Sequence, residues 1–139
     1  MKDEYVTYEQ AVKLKELGFA EKVNQGYSQK IRIEPNLSYG TPKEVPSKDP
    51  KNYNDNRKGA GKGIQFYSAP RLDQAQKWLR EEKRIHVEPC FVYDTRFDLY
   101  IKSQAHSVFK REEQCFDTYE LALSAGIDKA LELLTLNSK

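Results

Sequence analysis

The chain has 139 residues, the usual length of one domain, with 38% hydrophobic residues, 12% aromatic residues and a net charge of +2. This aromatic content excludes an intrinsically disordered chain. The small net charge gives no reason by itself to expect a nucleic-acid or membrane partner, and no run approaches the roughly 18 apolar residues that span a bilayer.

The cysteine count and the start of the chain indicate an intracellular setting. A disulfide-stapled secreted domain carries more cysteines than Cys90 and Cys115. Residues Met1–Tyr5 lack the apolar stretch of a signal peptide. We therefore expect a cytoplasmic protein with reduced thiols and no membrane association, folded as a single domain over residues 1–139.

The first predicted element is a helix. Thr7 is a candidate N-cap with Gln10 as its capping-box partner, and Gly18 sits where a helix favours a left-handed residue. Apolar residues follow at helical spacing: Tyr8, Ala11, Leu14 and Leu17. After a polar stretch, Ile31 and Ile33 alternate with charged residues, which predicts a short half-buried strand.

Residues 35–63 have the composition of a long loop. They contain four prolines and four glycines, which exclude a long helix or a central strand. We expect one irregular segment rich in Pro, Gly and Lys. A loop of this length is uncommon in a compact domain and is usually functional or disordered.

A second strand and a second helix follow the loop. Ile64 and Phe66 resume the alternation of a strand. Ser68 is the predicted N-cap of the helix, with Pro70 in the first turn. The predicted buried side of this helix consists of Leu72, Ala75, Trp78 and Leu79.

The last third of the chain predicts a hairpin and a final helix. Apolar residues alternate on both sides of a turn at Asp94–Arg96, and Pro89 marks an edge or a bulge. A further short strand is predicted near 108–109. The final helix begins with a capping box of Asp117 and Glu120, or with Thr118 as cap. Its apolar stripe consists of Tyr119, Ala122, Leu123, Gly126, Ile127, Ala130, Leu133 and Leu134.

The predicted order of elements is therefore α-β-β-α-β-β-α. The simplest arrangement is an α+β fold in which about three helices pack on one small antiparallel sheet, with the long loop of 35–63 outside it.

Basic residues in the region 43–84 favour a nucleic-acid partner. Cations interleaved with Tyr39 and Tyr53 form a pattern typical of proteins that track a nucleic-acid backbone and stack its bases. The residues assigned to this hypothesis are Lys58, Lys62, Arg71, Arg80 and Arg84. Glu81 and Glu82 dilute the charge, and a solvated helix face of mixed charge is the commoner cause of such a pattern.

No residue pattern indicates catalysis, a metal or a cofactor. The glycines of Gly59–Gly63 lack the rest of a Walker motif, because Asn56 stands where its first glycine belongs. His86 and Cys90 would lie about 13 Å apart on a strand, too far for a nucleophile and its base. His106 and Cys115 add no metal-ligand spacing.

Several sequence strings resemble a group of small uncharacterised proteins of gut anaerobic bacteria and their prophages. The strings are Thr7–Phe19, Tyr67–Pro70, Ala75–Glu81, Ile85–Val87, Tyr119–Leu123 and Gly126–Ile127. The resemblance covers half the chain and implies a mobile-element origin, but it brings no activity, cofactor or site residue. The hairpin and the Tyr119–Leu123 helix start are also similar to antitoxin domains of the HicB type, which bind an RNA-cleaving protein.

The leading hypothesis is a non-enzymatic accessory or protein-interaction module, prophage-encoded, whose partner is another protein. We expect the contact regions to be the loop of 40–63 and the hairpin edge, where a partner can add a strand. The alternative is a nucleic-acid-binding protein that uses the basic 43–84 region. The sequence leaves the oligomeric state open.

Overall fold

A computed structural model describes residues 4–30, 41–55, 64–93, 96–103 and 108–137 of the chain. Over these ranges the fold is α+β, as predicted, with three helices and two three-stranded antiparallel sheets. The chain divides into an N-terminal unit of residues 7–70 and a C-terminal unit of residues 1–6 and 71–139. The single domain expected from the chain length stays a prediction.

The N-terminal unit consists of α1 (Tyr8–Glu16), β1 (Val23–Lys30), β2 (Lys43–Lys51) and β3 (Ile64–Ser68). The strands form an antiparallel sheet in the order β2-β1-β3. The predicted capping box is confirmed, since Thr7 and Gln10 each donate a backbone N–H to the other's side chain. Gly18 has the predicted left-handed backbone, with φ of +97°.

Two strands of this unit differ from the sequence prediction. β1 occupies the stretch that looked merely polar, while the predicted strand around Ile31 and Ile33 falls outside the described residues. β2 lies within the region 35–63 that was predicted to be irregular throughout, so that prediction is wrong for Lys43–Lys51. β2 can contain Pro46 and Pro50 because it is an edge strand, where a missing N–H need not interrupt the sheet.

Described residues cover both faces of this sheet, and on one face they include the ring of Tyr53. The Tyr53 ring lies directly over Gly26 in the middle of β1, and Tyr53 is only 4% exposed. Its backbone N–H donates to Ser68 Oγ (2.9 Å), and its hydroxyl donates to the Val45 carbonyl (2.7 Å). Asn54 then donates to the Phe19 carbonyl (2.8 Å), which fixes the turn that follows β2.

Helix α1 covers the opposite face. Tyr27 points away from the Gly26 side because successive strand residues alternate between faces. It lies opposite Tyr67 of β3, and Tyr8 of α1 packs edge-on against both rings. Lys15 completes the contact, with its ammonium 4.8 Å from the centre of the Tyr67 ring. Partial burial lowers the pKa of Lys15 and raises that of Tyr67.

The C-terminal unit contains two helices and a three-stranded meander. Its elements are α2 (Leu72–Glu82), β4 (Ile85–Tyr93), β5 (Arg96–Ser103), β6 (Val108–Phe116) and α3 (Tyr119–Asn137). The predicted hairpin is confirmed as the β4–β5 pair, with Pro89 on an edge strand. The strand predicted near 108–109 is longer than expected. The described strands form two sheets rather than the one predicted, since β1 pairs with β3 and β4 pairs with β5, and β2 and β6 each add a third strand.

The N-caps of α2 and α3 differ in how well they were predicted. Ser68 does not cap α2, since it ends β3, and Arg71 occupies the N-cap position without a capping side-chain bond. Thr118 caps α3 through its Oγ1, which accepts the Leu121 N–H at 3.1 Å. The described core of the unit comes from both helices and the strands: Leu72, Ala75, Trp78, Leu79, Ile85, Val87, Ile101, Ala122, Leu123, Ile127, Ala130 and Leu131.

A left-handed arginine joins α2 to β4. After the C-cap residue Lys83, Arg84 has φ of +58°, and it is the only non-glycine residue with positive φ in the described part of the chain. This is the position at which helices most often place glycine, because a Cβ atom makes the left-handed conformation unfavourable by about 1–2 kcal/mol.

Gly26→Ala tests the contact with Tyr53. A Cβ atom at Gly26 would lie 2.6 Å from Cγ of the buried ring, so we expect the free energy of unfolding to fall by about 2 kcal/mol. Urea unfolding measures this loss. The same substitution in a Tyr53→Ala background should cost far less, because the ring is gone. An equal loss of stability with and without Tyr53 would show that the ring is not the reason why position 26 requires glycine.

Arg84→Gly tests the strain at the helix end. Glycine adopts positive φ freely, so we expect this variant to gain about 1 kcal/mol of stability in chemical unfolding. Arg84→Ala keeps the Cβ atom and should stay close to the wild type, which separates backbone strain from loss of charge. A destabilised Arg84→Gly variant would contradict the left-handed assignment.

Candidate functional site

The three described basic residues of the nucleic-acid hypothesis, Arg71, Arg80 and Arg84, do not form one cluster. Lys58 and Lys62 lie outside the described residues. Arg71 is at the N-cap of α2, whereas Arg80 and Arg84 lie at the opposite end of that helix. The nine-residue separation of Arg71 and Arg80 corresponds to about 13 Å along the axis and to opposite sides of the helix.

Arg71 is already engaged within the C-terminal unit. Its guanidinium forms ion pairs with Glu4 (3.0 Å) and Asp73 (3.4 Å), and it lies over the Tyr5 ring at 5.8 Å. The Glu4 carboxylate raises the pKa of the Arg71 guanidinium. The same residue forms a backbone bridge with Tyr5. These contacts give Arg71 a structural role in fastening the start of the chain to the start of α2.

Arg80 and Arg84 both lie at the C-terminal end of α2, and the structure adds Lys102, a cation that the sequence pattern did not include. We define the basic corner as Arg80, Lys83, Arg84, His86 and Lys102. His86 and Lys102 are directly opposite each other on β4 and β5, so they share one face of the sheet. Lys83 and Arg84 form the turn that leads into this end of β4.

The position of Arg80 follows from its neighbour one turn earlier. Gln76 donates its side-chain amide to the Val87 carbonyl at 2.6 Å, which puts that side of α2 against the edge of β4. Arg80 follows at i+4 and lies on the same side of the helix. Because α2 and β4 meet at the turn of Lys83 and Arg84, and Gln76 already contacts Val87, we infer that Arg80 lies near the first residues of β4.

Unlike Arg71, the arginines and Lys102 of the basic corner have no ion-pair partner within the described ranges. Arg84 and Lys102 are exposed and Arg80 is half-buried. The Lys83 ammonium lies over the Trp78 ring at 5.6 Å. The carboxylates nearby in sequence are Glu81, Glu82 and Glu88, all exposed.

A second surface lies at the other end of the hairpin. We define the apolar patch as Phe97, Phe116 and Tyr119, which are linked through Phe97, together with the exposed Leu121, which is two residues after Tyr119 and so lies on another side of α3. Phe97 and Phe116 are paired across β5 and β6, and Tyr119 packs edge-on against Phe97 at 6.0 Å. Tyr119 is 40% exposed and Leu121 is 52% exposed. The helical stripe assigned Tyr119 to the core and did not include Leu121, so sequence reasoning missed this surface.

The remaining candidate residues fall into structural positions. Tyr53 is buried against Gly26, so the interpretation of Tyr53 as a stacking platform for bases is wrong. Trp78 is in the core, as predicted. His86 and Cys90 lie four residues apart on β4, and the Cys90 thiol is near the Glu88 carbonyl (3.6 Å). No three His, Cys, Asp or Glu side chains are grouped for a metal ion within the described ranges.

Among the described helices, none combines the length and the apolar character of a membrane-spanning segment.

Comparisons with known proteins leave the chain without an assigned relative. A scan against protein-family models and searches of curated proteins and of solved structures find no match to this chain.

Proposed function

We propose that this protein is a non-enzymatic interaction module whose partner is another protein. The observation that supports this proposal is the apolar patch, above all the half-exposed Leu121 on the first turn of α3. The accessory role, the prophage origin and the cytoplasmic location belong to the same proposal. The patch, rather than the loop of 40–63, is the contact surface that we infer.

The composition of the patch suits a protein partner. Aromatic residues are enriched at the centres of protein interfaces, where they supply large buried areas at little entropic cost. The patch has three aromatic rings and a leucine, and none of the four is fully buried in this chain. Burial of apolar area against a partner contributes about 25 cal/mol per Å² before the costs of association.

The edge of β4 is less suited to a partner than the sequence suggested. Pro89 removes one donor from this edge, and Gln76 already occupies the Val87 carbonyl. A partner strand would have to form fewer backbone hydrogen bonds and displace a side chain from α2. Side-chain docking on the apolar patch needs neither, which favours it over strand addition.

Leu121→Glu tests this proposal. We expect the variant to lose most of the captured partner in pull-downs from host lysate, because a carboxylate is costly to bury against a partner. Its stability should stay within about 0.5 kcal/mol of the wild type, since the position is exposed. Leu121→Met is the matched control that keeps apolar contact and should retain the partner. Equal capture by the wild type and Leu121→Glu would rule out the patch as the contact surface.

A further inference from the structure

We propose that the basic corner is a second, separate binding site, and that its ligand is the phosphate backbone of a nucleic acid. This inference does not rest on the apolar patch. Phe97 and Lys102 are five residues apart on β5, about 17 Å along the strand, so the two surfaces lie at opposite ends of the hairpin.

The left-handed Arg84 is the first argument for this site. Its conformation has an energetic cost that glycine would avoid, and backbone strain of this kind is concentrated at functional positions. Within the described residues, no carboxylate pairs with its exposed guanidinium. No ion pair of this arginine offsets the strain within the described part of the unit, which points to an anion outside it.

The spread of the cations favours a row of phosphates over one small anion. The site draws on the end of α2, on the turn at Lys83 and Arg84, and on Lys102, which is opposite His86 across β4 and β5. Guanidinium groups bind phosphate oxygens in pairs, while lysine binds them as a point charge. Because these side chains come from α2, β4 and β5 in turn, they are better placed to contact several phosphates of an extended backbone than one small anion.

An aromatic residue favours nucleic acid over an acidic polypeptide. Tyr100 precedes Lys102 by two residues on β5, so both lie on the same face of the sheet, and Tyr100 is half-buried there. A ring beside a cation on one face of a sheet is an arrangement in which bases stack while their phosphates are neutralised. Glu88, which is opposite Tyr100, limits the basic surface on that side.

The helix dipole explains only part of the cluster. Cations in the last turn of α2 stabilise the partial negative charge at the helix end, which accounts for Arg80 and Lys83. It does not account for an arginine in the left-handed position, because Lys83 already supplies a cation there. Nor does it account for Lys102, which comes from a different strand.

The test is fluorescence anisotropy with the full chain and labelled single-stranded RNA and DNA of about 20 nucleotides, measured over a series of salt concentrations. The variants are Arg84→Gly, Arg84→Ala, Arg80→Gln and Lys102→Gln. Arg71→Gln is the matched control, since Arg71 is paired with Glu4 and Asp73. Unlabelled polyglutamate serves as competitor, and thermal unfolding is recorded for every variant.

We expect wild-type binding that weakens steeply with salt. Each variant of the corner should bind several-fold more weakly and lower the slope of log affinity against log salt by about 0.7. Arg84→Gly should melt a few degrees higher while binding as weakly as Arg84→Ala, which separates the loss from unfolding. Arg71→Gln and Leu121→Glu should bind as the wild type does.

Three results would overturn the inference. The first is no binding of either nucleic acid by the wild type at low salt. The second is equal affinity for the wild type and the variants of Arg84 and Arg80. The third is competition by polyglutamate as effective as that of unlabelled RNA, which would assign the corner to acidic proteins. Partner capture through Leu121 is unaffected by any of these results, so the two proposals fail separately.

Discussion

The fold depends on how two sheets of three strands are closed, because each sheet has two edges that expose backbone donors and acceptors. On one edge strand of each sheet, a helix side chain donates a hydrogen bond to a backbone carbonyl. Lys15 of α1 donates to the Phe66 carbonyl of β3 at 3.1 Å, and Gln76 of α2 donates to the Val87 carbonyl of β4 at 2.6 Å. In both units the helix that covers an edge is the one that precedes the sheet in sequence. The contact between Gln76 and Val87 fixes which side of α2 faces the edge of β4. Arg80 lies on that side, so the same contact helps to form the basic corner.

The covering of the sheet faces shows why the two units differ in what they expose. The described sheet of the N-terminal unit has α1 on one face and the Tyr53 turn on the other, and Gly26 is required because the ring occupies the space of a Cβ atom. In the C-terminal unit, α3 packs along the sheet with a buried stripe that continues to Leu131. Tyr119 in the first turn of α3 packs against Phe97 of the sheet, whereas Leu121, two residues later, lies on another side of the helix and is exposed.

Local signals predicted much of the fold, and non-local contacts account for what they missed. The Thr7 capping box, the left-handed Gly18 and the hairpin with Pro89 at its edge depend on neighbouring residues, and all three were predicted. β1 was missed because its face toward α1 is polar and aromatic rather than aliphatic, and β2 because its prolines are tolerated only at an edge. The pairing of Arg71 with Glu4 joins residues 67 positions apart, so no local pattern shows that this arginine is engaged. The backbone of Arg84 likewise follows from how α2 meets β4, which its residue type does not indicate.

Both surfaces place a residue where stability alone would favour another. Arg84 is strained at a position suited to glycine, and Leu121 exposes apolar surface at a position suited to a polar residue. Natural proteins give up stability in this way where a binding surface needs it. The β4–β5 hairpin connects the two surfaces. Its backbone pairing has one register shift, between Phe91 and Tyr93. A partner on the apolar patch and a polyanion on the basic corner would therefore occupy opposite ends of one hydrogen-bonded element. Since the two surfaces have no residue in common, we expect both ligands to bind at the same time without competition.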